Sequence, residues 1–65
     1  MTRYIVQERS TNHRGPAFPW YDCPDVPERK SLQRAIDDLA RMRAYARQWD
    51  THYAHRLIRR TETAL

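Results

Sequence analysis

Cysteine is almost missing from this chain, which limits how the fold can be stabilised. Cys23 is the only cysteine, so no disulfide bond can form within the chain, a pattern typical of a reducing cytoplasm. We expect a single small domain over residues 1–65, and a domain of this size buries only about 60% of its unfolded surface. Because such a domain is marginally stable alone, self-association is an expected source of stability.

Long apolar runs are absent as well, and this limits the compartments that the protein can occupy. The N-terminal sequence MTRYIVQERS lacks the apolar core of a signal peptide. No segment approaches the roughly 18 apolar residues that a membrane span requires. We therefore expect a cytoplasmic protein that has no membrane partner.

Lysine is also scarce, since eleven of the twelve basic residues are arginine. Residues 1–40 contain six basic and six acidic groups, whereas residues 41–65 contain six arginines against Asp50 and Glu62. The net charge of +4 therefore lies in the C-terminal part. Arginine suits planar, bidentate contacts with an anionic partner, and codon bias in a GC-rich genome produces the same composition.

One long segment, residues 28–49, has the residue spacing of an amphipathic helix. It contains no glycine or proline, and its apolar side chains recur every three or four residues. The predicted buried stripe consists of Leu32, Ala35, Ile36, Leu39, Met42, Ala46 and Trp49. The predicted solvent-facing side consists of Arg34, Asp37, Asp38, Arg41, Tyr45 and Gln48. Asp25 with Glu28 forms a capping-box pattern, and Ser31 is a second candidate for the N-cap.

Three shorter segments have the composition of strands. Residues 2–9 and 53–64 contain β-branched and aromatic residues, and residues 18–23 lie among prolines that confine a strand to a sheet edge. The predicted fold is α+β with the order β-β-α-β. It has a three-stranded antiparallel sheet of order 2-1-3 and one amphipathic helix on one face. The alternative is a helix that continues beyond Trp49 and forms a coiled-coil dimer, with a short N-terminal hairpin.

This outline resembles small accessory proteins that are encoded in phage and prophage genomes. The resemblance is carried by the YIVQER strand, the W-x-D segment at residues 20–22, the helix rich in Ala, Leu and Arg, and the closing RLIRRTET segment. It departs from them in a longer N-terminal loop and in having no Gly or Pro between the helix and the last strand. The resemblance implies a fold and a genomic setting, with no reaction and no catalytic residue.

Candidate metal and catalytic residues are few. His13, His52, His55 and Cys23 offer metal-ligand atoms. In a strand, however, His52 and His55 would point to opposite faces, and no second ligand pair has a suitable spacing. The chain also has no phosphate-binding glycine loop and no recognisable catalytic set. We therefore predict no metal, no cofactor and no catalytic residue, and a function that is not enzymatic.

A single helix covers only one face of the predicted sheet, so apolar side chains flanked by arginines remain on the other face. Such a patch is typical of a surface that binds a partner. The predicted binding residues are Tyr4, Ile5, Tyr45, Arg56, Leu57, Ile58, Arg59 and Arg60. We expect a host or phage protein as the partner, for example a defence component that is inhibited, and a homodimer is the competing explanation. Nucleic-acid binding through the C-terminal arginines is the alternative function.

Overall fold

The computed structural model describes residues 1–11, 18–49 and 52–61. In chain order the elements are β1 (Thr2–Ser10), β2 (Tyr21–Asp22), α1 (Leu32–Gln48) and β3 (Tyr53–Thr61). The three strands form one antiparallel sheet in the order β2-β1-β3, so the predicted α+β fold and strand order are confirmed. The alternative of one helix that continues beyond Trp49 is wrong, because residues 53–61 form a strand.

Strand β1 is the centre of the sheet. It pairs with β3 along its whole length of 9 residues, with Val6 opposite Leu57 and Glu8 opposite His55. On its other edge β1 pairs with β2 at two positions only, Gln7 and Glu8. The register with β3 therefore decides which side chains of the first and last strands are neighbours.

Helix α1 begins later than the sequence pattern predicts, because Arg29 is held by β1. The backbone N–H groups of Tyr4 and Arg29 each donate to the carbonyl oxygen of the other residue, at 2.8 and 2.9 Å. This strand-like pairing prevents a helical backbone at Arg29. Ser31 is the N-cap, since its hydroxyl accepts a hydrogen bond from the N–H of Arg34 at 3.3 Å.

Strand β2 is shorter than predicted, with residues 21–22 paired instead of residues 18–23. Pro19 and Pro24 lack the N–H group that a sheet ladder requires, so they limit the pairing on both sides. Strand β3 extends to Thr61. Its predicted continuation to residue 64 lies outside the described residues.

The helix covers one of the two faces of the sheet. The core beneath it consists of the buried residues Val6, Cys23 and Val26, with Leu39, Met42 and Leu57 packed against them. Because successive side chains of a strand point to opposite faces, Leu57 lies under the helix and Ile58 lies on the other side. The full burial of Val6 stabilises the fold by about 1.5–3 kcal/mol.

The buried side of α1 is narrower than the predicted stripe. Its buried or half-buried apolar members are Ala35, Leu39, Met42 and Ala46. The prediction is wrong for Leu32, Ile36 and Trp49, which are 47%, 42% and 61% exposed. A sheet with a two-residue edge strand does not reach the margins of so wide a stripe, so these side chains remain in contact with water.

Asp38 is buried in the helix–sheet interface, although the sequence predicts it on the solvent side. It is 3% exposed, and its carboxylate accepts hydrogen bonds from Arg29 at 2.7 Å and from Arg41 at 3.0 Å. The hydrogen bond from Arg29 lowers the pKa of Asp38 against the opposing effect of burial, and the charges of both arginines add to this. The two guanidinium groups offset the cost of burying the carboxylate.

Replacing Asp38 with Asn is expected to lower the free energy of unfolding at pH 7 by about 2 kcal/mol, because two charge-assisted hydrogen bonds are weakened. A carboxyl group with a lowered folded-state pKa stabilises the protein above its unfolded pKa of about 3.9, and this stabilisation is lost as the pH falls through the folded-state value. The difference between wild type and Asp38→Asn should therefore shrink in acid, as measured by urea unfolding at several pH values.

Asp37→Asn is the matched control for this prediction. Asp37 is exposed and accepts a hydrogen bond from Gln33 within the same helix. Its replacement should change the free energy of unfolding by no more than about 0.5 kcal/mol. Equal losses in the two variants would contradict a specific role for the buried carboxylate.

Candidate functional site

The sheet face opposite α1 is referred to below as the helix-free face. The alternation of side chains along β1 and β3 assigns every second residue of each strand to it. From these strands it contains Arg3, Ile5, Gln7, Arg9, Ala54, Arg56, Ile58 and Arg60, and from the segment at β2 it contains Trp20 and Asp22. Four arginines on β1 and β3 make this a predominantly cationic surface.

Trp20 organises one end of the helix-free face. The guanidinium carbons of Arg9 and Arg56 lie 4.6 and 4.5 Å from the centre of the Trp20 ring, within the range of cation–π contacts. The Nε atom of Arg56 also donates to Gln7 Oε1 at 2.9 Å. Within residues 1–11, 18–49 and 52–61, neither Arg9 nor Arg56 forms an ion pair with a carboxylate. Two guanidinium edges at this end are therefore available to an anionic group.

The other end of the helix-free face is close to neutral, because its arginines are paired. Arg3 lies 3.0 Å from Glu28, and Arg60 lies 3.3 Å from Asp22. A hydrogen bond from Gln7 and the interaction with Arg60 lower the pKa of Asp22 against the effect of burial. These pairs are partly exposed to water, so each contributes roughly 0–1 kcal/mol to stability. Their main effect is to fix the positions of the long side chains.

The apolar content of the helix-free face is smaller than the sequence predicts. Ile5 is 2% exposed, and Ile58, which pairs with it across the strands, is half-buried. Arg60 and Asp22 lie on either side of β1, so their ion pair crosses the strand near Ile5. The accessible part of this face therefore consists of arginines, Trp20, Asp22, Ala54 and Ile58 instead of a continuous apolar patch.

The structure brings together four of the eight predicted binding residues. Ile5, Arg56, Ile58 and Arg60 share the helix-free face. Leu57 does not join them, because it packs against the core under the helix. Tyr4 and Arg59 alternate to the same side of the sheet as Leu57. Tyr45 is 57% exposed on α1, with its ring centre 6.1 Å from that of Trp49.

Sequence reasoning missed Trp20, Arg9 and Arg3 as members of this face. The sequence pattern alone leaves open which of Trp20 and Tyr21 faces the helix. Its position follows from the pairing of Tyr21 with Glu8, which turns Tyr21 toward the helix side and the preceding residue away from it. The signal in the sequence was the W-x-D spacing, but its use requires the register of the edge strand.

A second cluster lies on the helix side of the sheet and consists of Glu8, Cys23, His55 and Tyr21. Glu8 Oε2 is 2.9 Å from His55 Nε2 and 3.8 Å from Cys23 Sγ. The hydroxyl of Tyr21 donates to the other carboxylate oxygen, Glu8 Oε1, and this hydrogen bond raises the pKa of Tyr21 to about 12. Cys23 and His55 are 3% and 7% exposed. Cys23 and His55 are therefore buried around the carboxylate of Glu8, whereas Tyr21, at 42% exposed, closes the cluster from the outside.

The strand register explains why these residues meet. Glu8 is directly opposite His55 on one side and opposite Tyr21 on the other. Cys23 is held next to β1 by the hydrogen bond from its N–H to the carbonyl oxygen of Val6 at 2.9 Å. The sequence predicts that His52 and His55 do not bind one ion together in a strand; His52 is exposed and is not part of this cluster, and His13 lies outside the described residues. Glu8 was not considered.

The environment of Cys23 does not favour a reactive thiolate. Burial raises the pKa of the Cys23 thiol, and the negative charge of Glu8 acts in the same direction. The Sγ atom donates a hydrogen bond to Glu8 Oε2. Nucleophilic cysteines have the opposite surroundings, with a cation or a helix N-terminus that lowers the pKa. The unliganded cluster therefore holds a protonated thiol.

A cavity of about 250 Å³ lies against the cluster, between the C-terminal half of α1 and the sheet. Glu8 and His55 form part of its wall, together with Asp25, Tyr45 and Tyr53. The Nδ1 atom of His55 is buried and has no hydrogen-bond partner among the described residues. Buried polar atoms are nearly always hydrogen-bonded in folded proteins, so this nitrogen is an exception.

Comparisons with known proteins do not add a function to this geometry. No family model, no curated protein and no solved structure matches the chain. Among the described residues, no helix is both long enough and apolar enough to cross a membrane. The chemistry of the helix-free face and of the second cluster therefore has to be derived from their own residues.

Replacing Trp20 with Leu is expected to lower the free energy of unfolding by about 1–2 kcal/mol, because two cation–π contacts of roughly 0.5–1 kcal/mol each are lost. Urea unfolding followed by circular dichroism measures this difference. Trp49→Leu is the control, since Trp49 is 61% exposed at the end of α1. A larger loss in the Trp49 variant would show that the arginine–tryptophan stack does not stabilise the sheet.

Proposed function

We propose that the protein acts by binding, without catalysis, and that its helix-free face contacts an acidic surface of a host or phage protein. The observation that carries this proposal is the position of Trp20 between Arg9 and Arg56, next to the half-buried Ile58. Tryptophan and arginine are the residues most enriched at the energetic centres of protein interfaces. Here they are already held in place by contacts with each other.

The charge arrangement supports an acidic protein surface as the partner. Arg9 and Arg56 offer guanidinium edges that can bind carboxylates in a bidentate manner. Asp22 and Glu28, at the other end of the face, are paired with Arg60 and Arg3. A partner that carries carboxylates opposite the Trp20 end and few charges opposite the other end matches this pattern.

The proposal of a non-enzymatic role is supported by the chemistry of the second cluster. Without a metal its thiol is protonated, and the adjoining cavity of about 250 Å³ is below the range of roughly 300–1,000 Å³ that is typical of small-molecule sites. These two features favour a binding protein over an enzyme that uses a cysteine nucleophile on a small molecule.

The resemblance to phage and prophage accessory proteins supplies the proposed setting, which is the cytoplasm of a host cell. In that setting an acidic host protein, such as a component of a defence system, would be bound and inhibited. The identity of the neighbouring genes is the direct test of this part of the proposal. A location outside any phage or prophage region would contradict it.

Self-association is also part of the proposal. Leu32 and Ile36 are 47% and 42% exposed on α1, so apolar side chains remain outside the small core. A second copy that covers them would add burial that a domain of this size needs. Sedimentation equilibrium of the wild-type chain measures this directly, and a strictly monomeric protein at high concentration would remove it.

Nucleic-acid binding is the second candidate function, and the Trp20 stack is the observation that favours it. Proteins that bind single strands combine cations along the backbone with an aromatic side chain on which bases stack. Against this candidate, Asp22 and Glu28 lie among the arginines and would repel phosphates. Only Arg9 and Arg56 are free of carboxylates on the described part of this face.

The main proposal predicts that partner binding weakens when an arginine charge is removed from the helix-free face, and that it does not weaken when one is removed from the helix side. Arg56→Gln and Arg59→Gln remove the same charge from the same strand, on opposite sides of the sheet. Affinity enrichment from host cells with quantitative mass spectrometry should show a partner that Arg56→Gln loses by at least about tenfold and Arg59→Gln retains. Ile58→Glu and Thr61→Glu form a second matched pair, because the two residues lie on opposite sides of β3. Ile58→Glu should lose the partner and Thr61→Glu should retain it.

Equal retention of the partner by Arg56→Gln and Arg59→Gln would contradict the proposal. Loss of the partner after nuclease treatment would assign the binding to nucleic acid. Urea unfolding of each variant accompanies the experiment, so that loss of binding is interpreted only for folded protein.

The two candidate functions also differ in their dependence on salt. If single-stranded DNA or RNA binds through Arg9 and Arg56 alone, two phosphate contacts predict a slope of about −1.4 for the logarithm of affinity against the logarithm of salt concentration. Fluorescence anisotropy with labelled oligonucleotides measures this slope. No binding at low salt would eliminate the nucleic-acid candidate, whereas a much steeper slope would require arginines beyond this face.

A further inference from the structure

The cluster on the helix side of the sheet has the composition of a metal site. It places one carboxylate oxygen of Glu8, the sulfur of Cys23 and a ring nitrogen of His55 within 4.8 Å of one another. We propose that these three side chains bind one zinc ion, with the fourth coordination position open to water from the adjoining cavity. This site lies on the opposite side of the sheet from the helix-free face and does not depend on the proposed function.

The distances in the cluster are close to those that a zinc ion requires. Zinc bonds of about 2.0–2.3 Å in a tetrahedral arrangement place ligand atoms roughly 3.3–3.8 Å apart. Glu8 Oε2 is 2.9 Å from His55 Nε2 and 3.8 Å from Cys23 Sγ, and all three ligand atoms lie within 4.8 Å of one another. The widest of these separations exceeds the zinc range by about 1 Å, so entry of the ion requires side-chain movements of about that size.

The surroundings of Glu8 are those of a positioned ligand. One of its two carboxylate oxygens accepts a hydrogen bond from the Tyr21 hydroxyl, which leaves Oε2 directed toward Cys23 and His55. In metal sites, hydrogen bonds of this kind orient the ligating carboxylate and tune its basicity. Tyr21 is thus a positioning residue for the proposed site.

The state of His55 supplies an independent observation. Its side chain is 3% exposed, and its Nδ1 atom has no partner in the described part of the chain. A histidine buried for structural reasons usually has both ring nitrogens satisfied. An imidazole that binds zinc through Nε2 carries its proton on Nδ1, and His55 lines the adjoining cavity, where a water molecule can accept a hydrogen bond from that atom.

The type of metal follows from the type of ligands. A sulfur, a nitrogen and a carboxylate oxygen form a mixed set that suits zinc, whereas magnesium and calcium require oxygen ligands. On binding, the Cys23 thiol releases its proton to solvent, and the Glu8–His55 hydrogen bond is replaced by bonds from both groups to the ion. The ion would then connect β1, the segment after β2, and β3.

Such a connection would increase the stability of a domain of only 65 residues. Small domains without disulfide bonds commonly use a metal to supplement their core. Strand β2 pairs with β1 at two positions only, so a metal bond from Cys23 would add a strong link between the segment after β2 and the two long strands. Zinc binding should therefore stabilise the whole domain and not only the site.

The experiment is a titration of the reduced, metal-free protein with Co²⁺, which substitutes for zinc and reports thiolate ligation through a charge-transfer band in the near ultraviolet. We expect one Co²⁺ per chain and displacement by Zn²⁺. Cys23→Ser should lose the band, and His55→Asn should weaken binding by more than about tenfold. His52→Asn is the matched control, because His52 is an exposed histidine outside the cluster, and it should bind like wild type.

A second measurement uses the wild-type protein alone, since variants of buried residues can unfold for reasons unrelated to a metal. Zn²⁺ at about one hundred times its dissociation constant should raise Tm by about 10 °C or more, and Mg²⁺ should not. Absence of the thiolate band in folded wild-type protein would overturn the proposal. An unchanged Tm with Zn²⁺, or equal weakening by His52→Asn and His55→Asn, would also overturn it.

Discussion

The antiparallel pairing of β1 with β3 is the interaction on which the rest of the structure depends. It joins the first and last described strands over 9 residues and makes β1 the central strand of the sheet. Its register places Val6 beside Leu57 in the core, and it places Glu8 beside His55 in the buried cluster. A shift of one residue would exchange the two faces of a strand, so the core and both candidate sites would be lost together.

The two faces of the sheet have different physical roles because only one of them is covered. Under α1, burial selects small apolar side chains and allows charge only where it is paired, as in Asp38 with Arg29. On the helix-free face, arginines with exposed ends can stack on Trp20 and remain hydrated. The cluster of Glu8, Cys23 and His55 and the helix-free face are therefore separated by the thickness of one sheet.

Much of the architecture could be predicted because it depends on local patterns. The strands, the amphipathic helix and the sheet order follow from side-chain periodicity and from the need to pair short strands. Of the two predicted helix starts, Ser31 as the N-cap is confirmed and the capping box at Asp25 and Glu28 is wrong, because the backbone pairing of Arg29 with Tyr4 connects residues that are far apart in the chain. The same is true of Asp38, whose burial depends on Arg29, a residue that precedes the observed helix and is held beside β1 by its backbone pairing with Tyr4.

The sequence by itself determined the type and order of the secondary-structure elements, the position of the positive charge and the presence of Ile58 and Arg56 at a strand surface. Only the tertiary structure decided that Leu57 faces the core, that Trp20 lies between two arginines, and that Glu8, Cys23 and His55 meet. The physical reason is that periodicity is a property of neighbouring residues. Proximity across a sheet depends on register, which is set by the packing of the whole chain.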